Sequence, residues 1–385
     1  MMTHNKPVAF ADELKAIRQH LHSIPELGLE EVETSDYIAS RLNEWGYEIT
    51  RGLAKTGIVA SLRRGSSNRS IGFRADFDAL PIREETGLPY ASRNAGNMHA
   101  CGHDGHTAML LGAAWSLAQD EDFSGTIHFI FQPAEENYGG AQIMIEEGLF
   151  ERFPCDQIFA LHNWPGLEAG KFASKAGPIA ASIDALTLTV KGSGGHGAEP
   201  EKTVDPIVVA SSIVMSLQTI VSRTVSPHQA SVITVGAFNA GSVCNVIPDT
   251  ARLEISMRAT DPEIRKILSE KVEQVANMQA ASYGAAVGFD WMVGYPATIN
   301  DAAAFDQAKA TVIAHFGEEA FEELDRPFMG SEDFSFMLEK ASGAYLLIGN
   351  GESSGLHTAT YNFNDEILER GMSFFHNLAK DSLKV

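Results

Sequence analysis

Three short runs, residues 71–75, 126–131 and 157–161, read as strands; the second is apolar on both sides, as a strand buried on both faces is, and the third reads as another buried strand. Such a strand has to lie inside a sheet with helices packed on either side. Stretches with helical spacing separate the runs, at residues 107–118, with Thr107 as the cap, and at 141–147. This alternation predicts a three-layer α/β/α domain with a largely parallel sheet. Phe10, Leu14, Ile17 and Leu21 predict a first helix from about Ala11 to just before Pro25, a second is expected from about Glu30 to Trp45, and residues 58–62 add a strand. In parallel sheets, sites form where the chain leaves the carboxyl ends of the strands. Asp76, Asp78, Glu135, Glu136 and His162 all fall at such ends.

From about Ala180 the pattern changes. Residues 185–190 alternate as a half-exposed strand does, and a helix (205–223), two strands (231–238, 251–258), a helix (262–282) and a strand (286–292) follow. The order β-α-β-β-α-β is that of a ferredoxin-like α+β sandwich. The first style then returns, with a helix at 301–316, a strand at 344–348 and a closing helix at 366–383. A chain of 385 residues exceeds the size at which single cores stop growing. We therefore expect residues 181–293 to be one domain inserted into another, the latter built from 1–180 and 294–385.

Residues 99–106 read His-Ala-Cys-Gly-His-Asp-Gly-His. A lone histidine is usually structural, but this density of donors points to a metal site, and Cys101 and His103, two apart on a glycine-loosened loop, are expected to grip one ion together. The pair Glu135-Glu136 follows a buried strand and a proline, unlike the surface pairs at 146–147 or 318–319. Neighbours in extended chain point to opposite sides, so one carboxylate would ligate metal while the other faces the reacting water. His162 closes a buried strand, and His357 sits in Gly355-Leu356-His357-Thr358-Ala359. With Cys101, His103 and Glu136 they make five donors, too many for one catalytic ion with an open position and suited to two ions sharing a bridging ligand. Cys101 can bridge as a thiolate, which leaves His99 and His106 in supporting or structural places.

Charge and cysteine usage narrow the partners. Fifty acidic against 29 basic residues give a net charge of -21, which repels phosphate backbones and anionic lipid, so neither nucleic acid nor membrane is expected. No apolar signal core lies between Met1 and Ala11, and no run approaches the roughly 20 apolar residues that span a bilayer. Cys101, Cys155 and Cys244 form no disulfide framework, which suits a cytoplasmic location.

Seven motifs in order along the chain resemble the M20 metallopeptidase and amidohydrolase family, in its branch of hippurate hydrolases, N-acyl-amino-acid amidohydrolases and auxin-conjugate hydrolases. They are His22-x-x-Pro25-Glu26-Leu27-Gly28, Arg74-Ala75-Asp76-Phe77-Asp78-Ala79-Leu80-Pro81, Met98-His99-Ala100-Cys101-Gly102-His103-Asp104, Phe131-Gln132-Pro133-Ala134-Glu135-Glu136, Gly194-Gly195-His196-Gly197-Ala198-Glu199-Pro200, Asn245-Val246-Ile247-Pro248 and Gly330-Ser331-Glu332-Asp333-Phe334. The resemblance implies two divalent ions (manganese, zinc, cobalt or nickel) on Cys101, His103, Glu136, His162 and His357, with Glu135 as general base. It implies a homodimer formed through the inserted domain, with His196 reaching the active site of the other subunit to hold the carbonyl oxygen. Asn245 would then hydrogen-bond near the substrate, Arg258 would grip a free carboxylate, and Asp78 would orient a ligand. Asn137 departs from the glycine more usual after the glutamate pair; the ligands are intact, and Tyr138 is placed to reshape the pocket wall.

The expected activity is metal-dependent hydrolysis of N-acyl-L-amino acids, hippurate-like or N-acetylated, to a carboxylic acid and a free amino acid. A cysteine-nucleophile amidase using Cys101 is a rival, as are a dipeptidase or aminoacylase of the same fold and a non-catalytic binding protein. The first rival explains Cys101 and one histidine as its base but leaves the other three donors idle. An intact Glu135 argues against the last.

Overall fold

The computed structural model describes residues 8–384, so the first seven positions of the stretch read as lacking a signal core lie outside the described residues. Two compact units divide the chain. One runs to Gly177 and takes in Ile299–Asp325 and Asp333–Val385, and the other is Pro178–Thr298 with Arg326–Glu332.

The first unit begins with α1 (Val8–Ser23), α2 (Val32–Glu44), β1 (Glu48–Leu53), β2 (Gly57–Arg64), β3 (Ser70–Asp76) and α3 (His103–Ala118). Then come β4 (Gly125–Gln132), α4 (Gly140–Glu146), β5 (Gln157–Pro165) and β6 (Phe172–Ser174). The second unit contributes β7 (Ser182–Lys191), α5 (Pro206–Arg223), β8 (Ser231–Ala240), β9 (Thr250–Ala259), α6 (Pro262–Ser282) and β10 (Ala286–Val293). The first unit resumes with α7 (Ala302–Phe316), β11 (Phe321–Glu323), α8 (Phe334–Leu338), β12 (Ser342–Gly351) and α9 (Leu368–Ser382).

An eight-stranded sheet, in the order β1-β2-β4-β3-β5-β12-β6-β11, carries the first unit. The centre β4-β3-β5-β12 is parallel, as the buried runs predict. The flank β1-β2-β4 is antiparallel; for β1 and β2 this follows because only residues 54–56 join them and a parallel crossover needs a dozen or more. Helix α3 is buried on nearly every face and packs against α1, α9 and β3, which is why its sequence is apolar all round. Phe73 of β3 meets Phe129 of β4, Phe159 of β5 and Phe375 of α9 in the core between them. Most element ends shift by one to three residues from the sequence reading, and two next to the site shift by four. α3 starts at His103 rather than Thr107, whose hydroxyl donates to the Asp76 carbonyl at 2.9 Å instead of capping, and β5 continues past His162 to Pro165.

The second unit has an antiparallel sheet in the order β8-β9-β7-β10, the arrangement of a ferredoxin-like sandwich. Side chains of β7 alternate between buried and half-buried, and Leu186, Leu188 and Val190 meet Ile213 and Leu217 of α5 in one core. Asp205 caps α5 through the Ile207 amide at 2.8 Å, and Asp261 caps α6 through Glu263 at 2.8 Å. By length and composition α5 is apolar enough to cross a membrane, although serine, threonine and glutamine interrupt its apolar residues and Arg223 ends it, so it forms no continuous apolar run. Its residues Val209, Ala210, Ile213, Leu217 and Ile220 are buried, so the apolar length serves the core of this unit.

Candidate metal centre

The chain reverses at Gly102, whose φ of 93° is the left-handed conformation that favours glycine, and a Cβ there would run into Asn163 and Tyr361. This turn buries Cys101 and makes His103 the first residue of α3, so the pair spans a turn and a helix start rather than the loop expected. Cys101 Sγ lies 3.5 Å from His162 Nε2. Two ligands about 2.3 and 2.1 Å from one tetrahedral ion stand about 3.6 Å apart. The His162 Nδ1–H donates to the Asn163 carbonyl at 2.6 Å, which leaves Nε2 with its lone pair. His103 is fixed in the same sense, since Nδ1 faces the Asp78 carbonyl at 2.9 Å and Asp78 Oδ1 at 3.2 Å, two acceptors. Its Nε2 is buried and has no hydrogen-bond partner among the described residues, with carboxylate oxygens of Asp76 and Glu136 at 3.7 and 3.9 Å. A buried nitrogen left so is costly, and a cation would satisfy it.

The other donors come from two strained turns. Ala134, at φ 56°, precedes Glu135-Glu136, and His357 itself has φ 60°. The glutamates therefore lie in a turn, not in the extended chain expected, and a donor oxygen of each lies within 4.8 Å of a His103 ring nitrogen. Asp78 Oδ2 accepts the Glu136 N–H at 3.0 Å, and the His357 N–H donates to the Ala100 carbonyl at 2.8 Å. His357 Nε2 comes to 3.2 Å from Glu136 Oε1. Two sets of three donors result, Cys101 with His103 and His162 and Cys101 with Glu136 and His357, each set within 4.8 Å. They share Cys101. The donor set of thiol, imidazole and carboxylate fits a pair of transition-metal ions.

Without a cation the thiol is held protonated, because burial and the charge of Glu136 both push its pKa up. Burial alone would lower His103, but the charges of Asp76 and Cys101 and the bond to Asp78 raise it. Burial, with the charge of His106, holds His162 well below the usual imidazole range.

Behind the donors lies a shell that the sequence reading did not assign. Arg74, fully buried, donates Nε to Gln132 Oε1 at 2.7 Å, Nη1 to Asp76 at 2.8 Å and Nη2 to Asp333 at 2.9 Å. Asp333 in turn accepts from Gln132 and from the Ala141 N–H at 3.0 Å, and its own N–H faces Glu135 Oε1 at 3.4 Å. The signal was present, since Arg74, Gln132 and Asp333 all stand inside the quoted motifs and an arginine within a buried run requires carboxylates. His106 donates Nδ1–H to Asp76 at 2.6 Å and accepts the Asn163 N–H at 3.0 Å, so both ring nitrogens are used and it supports the site without ligating. His99 is buried with neither ring nitrogen hydrogen-bonded among the described residues, and burial lowers it to about 4.

His196, Asn245 and Arg258 belong to the second unit. Residues 195–196 pair with 246–247 in a small two-stranded antiparallel ribbon, and the Gly197 N–H donates to the Asn245 carbonyl at 2.9 Å, so His196 and Asn245 are neighbours there, both exposed. His196 Nδ1 accepts the Ala198 N–H at 3.0 Å, which leaves the neutral ring with an Nε2–H to donate. Arg258 gives Nη1 to the Met329 carbonyl at 2.7 Å; its Nε–Nη2 edge is the part a carboxylate could take.

A family model described as peptidase family M20/M25/M40 matches residues 72–381. The chain is similar to the hippurate hydrolase of Campylobacter jejuni, 44% identical over 97% of each chain. It is also similar to the N-acetyl-L-cysteine deacetylase of Bacillus subtilis, 38% identical over 96% of this chain and 88% of that one. Among solved structures, a Bacillus subtilis protein described as a dinuclear metal binding peptidase from M20 family superposes with a TM-score of 0.85. It is 35% identical, over 97% of this chain and 98% of that one.

Proposed function

The chain belongs to peptidase family M20/M25/M40, and from that premise we propose that it is a metal-dependent amidohydrolase of N-acyl amino acids. Hippurate-like and N-acetylated substrates would yield a carboxylic acid and a free amino acid. The observation that carries this reading is the pair of donor sets sharing Cys101, with Glu135 beside them. Cys101, His103, Glu136, His162 and His357 would hold two divalent ions, of manganese, zinc, cobalt or nickel. Such a pair, when bound, lowers the pKa of a shared water towards about 7 and polarises the acyl carbonyl.

The chain's own residues would do the rest. Glu135 takes the proton of the attacking water and later passes it to the departing amine. His196 of the partner subunit meets the developing oxyanion with its Nε2–H, a tautomer that the Ala198 contact favours. Asn245 hydrogen-bonds near the substrate carbonyl or carboxylate, and Arg258 grips the free carboxylate with its Nε–Nη2 edge. Asp78 orients His103 and holds the Glu136 amide. Dimerisation through the second unit and a reducing, cytoplasmic setting complete the reading; exposed Val208 and Met215 on α5 and three free cysteines support them.

The test is a panel of N-acyl amino acids assayed after metal removal and after reconstitution ion by ion. Activity that vanishes with the metal and returns with it supports the reading. Hydrolysis surviving thorough chelation would favour Cys101 as nucleophile with His162, 3.5 Å away, as base. Glu135→Gln should lower kcat by about 10²–10⁴-fold at unchanged metal content.

A further inference from the structure

Glu31, just ahead of α2, takes no part in the reaction proposed above, yet its side chain is fully buried. Oε1 accepts the Ala134 N–H at 3.0 Å, and Oε2 accepts the Thr56 hydroxyl at 2.7 Å. The Thr56 carbonyl accepts the Ser35 hydroxyl of α2 at 2.6 Å, so the turn between β1 and β2 and the start of α2 are tied to the same carboxylate. What Glu31 holds on its other side is the strained residue. Ala134 is a left-handed alanine, an unfavourable conformation that persists only where its surroundings impose it, and it immediately precedes Glu135 and Glu136.

The fit around Ala134 is tight. A Cβ added at Gly28 would stand 3.0 Å from both the Cα and the Cβ of Ala134 and 3.2 Å from the Tyr138 ring. Three buried carboxylates accept amides between this turn and the start of α4: Glu31 at Ala134, Asp78 at Glu136 and Asp333 at Ala141, each at 3.0 Å. Asp78 also touches His103, and Asp333 also binds Arg74. Glu31 reaches the centre through the Ala134 amide. Burial pushes its carboxyl up to about 7, against the hydrogen bond from Thr56, and both protonation states can accept that amide.

We propose that Glu31 is a positioning residue: by accepting the Ala134 N–H it holds the left-handed turn that aims Glu135 and Glu136. The proposal rests on the amidohydrolase reading for its kinetic consequence, and on the backbone geometry alone for its dynamic one. Glu31→Gln keeps the reach and an acceptor without the charge. Glu31→Asp keeps the charge but is one methylene too short for Ala134.

Metal-loaded parent, Glu31→Gln, Glu31→Asp and Glu31→Ala are compared with N-benzoylglycine, with metal per chain and thermal midpoint recorded. Amide hydrogen exchange of residues 134–136 is measured on the metal-free proteins. Glu31→Gln should stay within about three-fold of the parent kcat, while Glu31→Asp and Glu31→Ala lose about 10–100-fold in kcat at little changed KM and full metal content. Exchange at Ala134 should quicken in the same order. Should Glu31→Ala not fold, the Gln and Asp variants decide the matter. Equal kcat for Gln and Asp variants, or exchange at Ala134 unchanged in Glu31→Asp, overturns the proposal. A parent inactive with every metal would fail the amidohydrolase reading instead, and the exchange result would still decide the clamp.

Discussion

Replacing Asp78 by alanine isolates what an outer carboxylate contributes to this centre. Asp78 meets it at three points: its carbonyl and Oδ1 face His103 Nδ1 at 2.9 and 3.2 Å, and Oδ2 accepts the Glu136 N–H at 3.0 Å. The substitution spares the carbonyl, so the His103 tautomer survives. It removes both carboxylate contacts and leaves the Glu136 amide without its acceptor, which costs about 1–3 kcal/mol. Loss of a ligand-orienting carboxylate typically lowers metal affinity or activity about 10–100-fold, or about 1.4–2.7 kcal/mol. The two routes agree, so Asp78→Ala should weaken metal binding about 10–100-fold, with Asp78→Asn between it and the parent. Competition against a chromophoric chelator, started from metal-free protein, reads the affinity directly. An Asp78→Ala affinity within about three-fold of the parent would refute the reasoning.

Other outcomes follow from separate parts of the molecule. Burial would lower His22, but the charge and hydrogen bond of Asp104, 2.8 Å from Nδ1, lift it to about 9. A raised folded pKa means that this stabilisation is complete below about pH 6.5 and is lost as pH rises through about 9; at about 1.4 kcal/mol per pH unit it is at most about 3 kcal/mol. Urea midpoints of the metal-free protein should therefore fall between about pH 6.5 and 9 in the parent and stay flatter in His22→Asn; a parent curve flat across that window contradicts the sign. Gly102→Ala combines a positive φ with contact against Asn163 and Tyr361, and should destabilise by about 2–4 kcal/mol, read as a lower thermal midpoint; an unchanged midpoint would mean that the turn relaxes freely. His196→Ala should lower kcat about 10²–10³-fold with metal content intact, whereas an effect below about three-fold would remove its proposed contact with the oxyanion.

Central strands were legible because burial on both faces leaves continuous apolar runs, as in β5, where Ile158, Phe159, Ala160 and Leu161 are all buried. The edge strand β1 was not. Its residues are exposed or half-buried up to Leu53, so its sequence carries neither a run nor an alternation. The start of α3 was missed for a different reason. Cys101-Gly102-His103 reads as loop by composition, and only the left-handed Gly102, packed against Asn163 and Tyr361, lets the helix begin at His103. Five donor residues could be picked from the chain, but not their grouping. That depends on Ala134 and His357 adopting left-handed backbone, which no propensity predicts for alanine or histidine. Glu31 shows the same limit from the other side, since the Ala134 amide it accepts is distant in sequence, as is Asp333, the second carboxylate partner of Arg74.

The central claim is that two ions share Cys101, and anomalous diffraction from crystals of the metal-loaded protein tests it most directly. Two peaks per chain are predicted, about 3.5–4 Å apart, one beside His103 and His162 and the other beside Glu136 and His357, with Cys101 Sγ between them. A single peak, or two peaks with Cys101 bound to neither, would contradict the account.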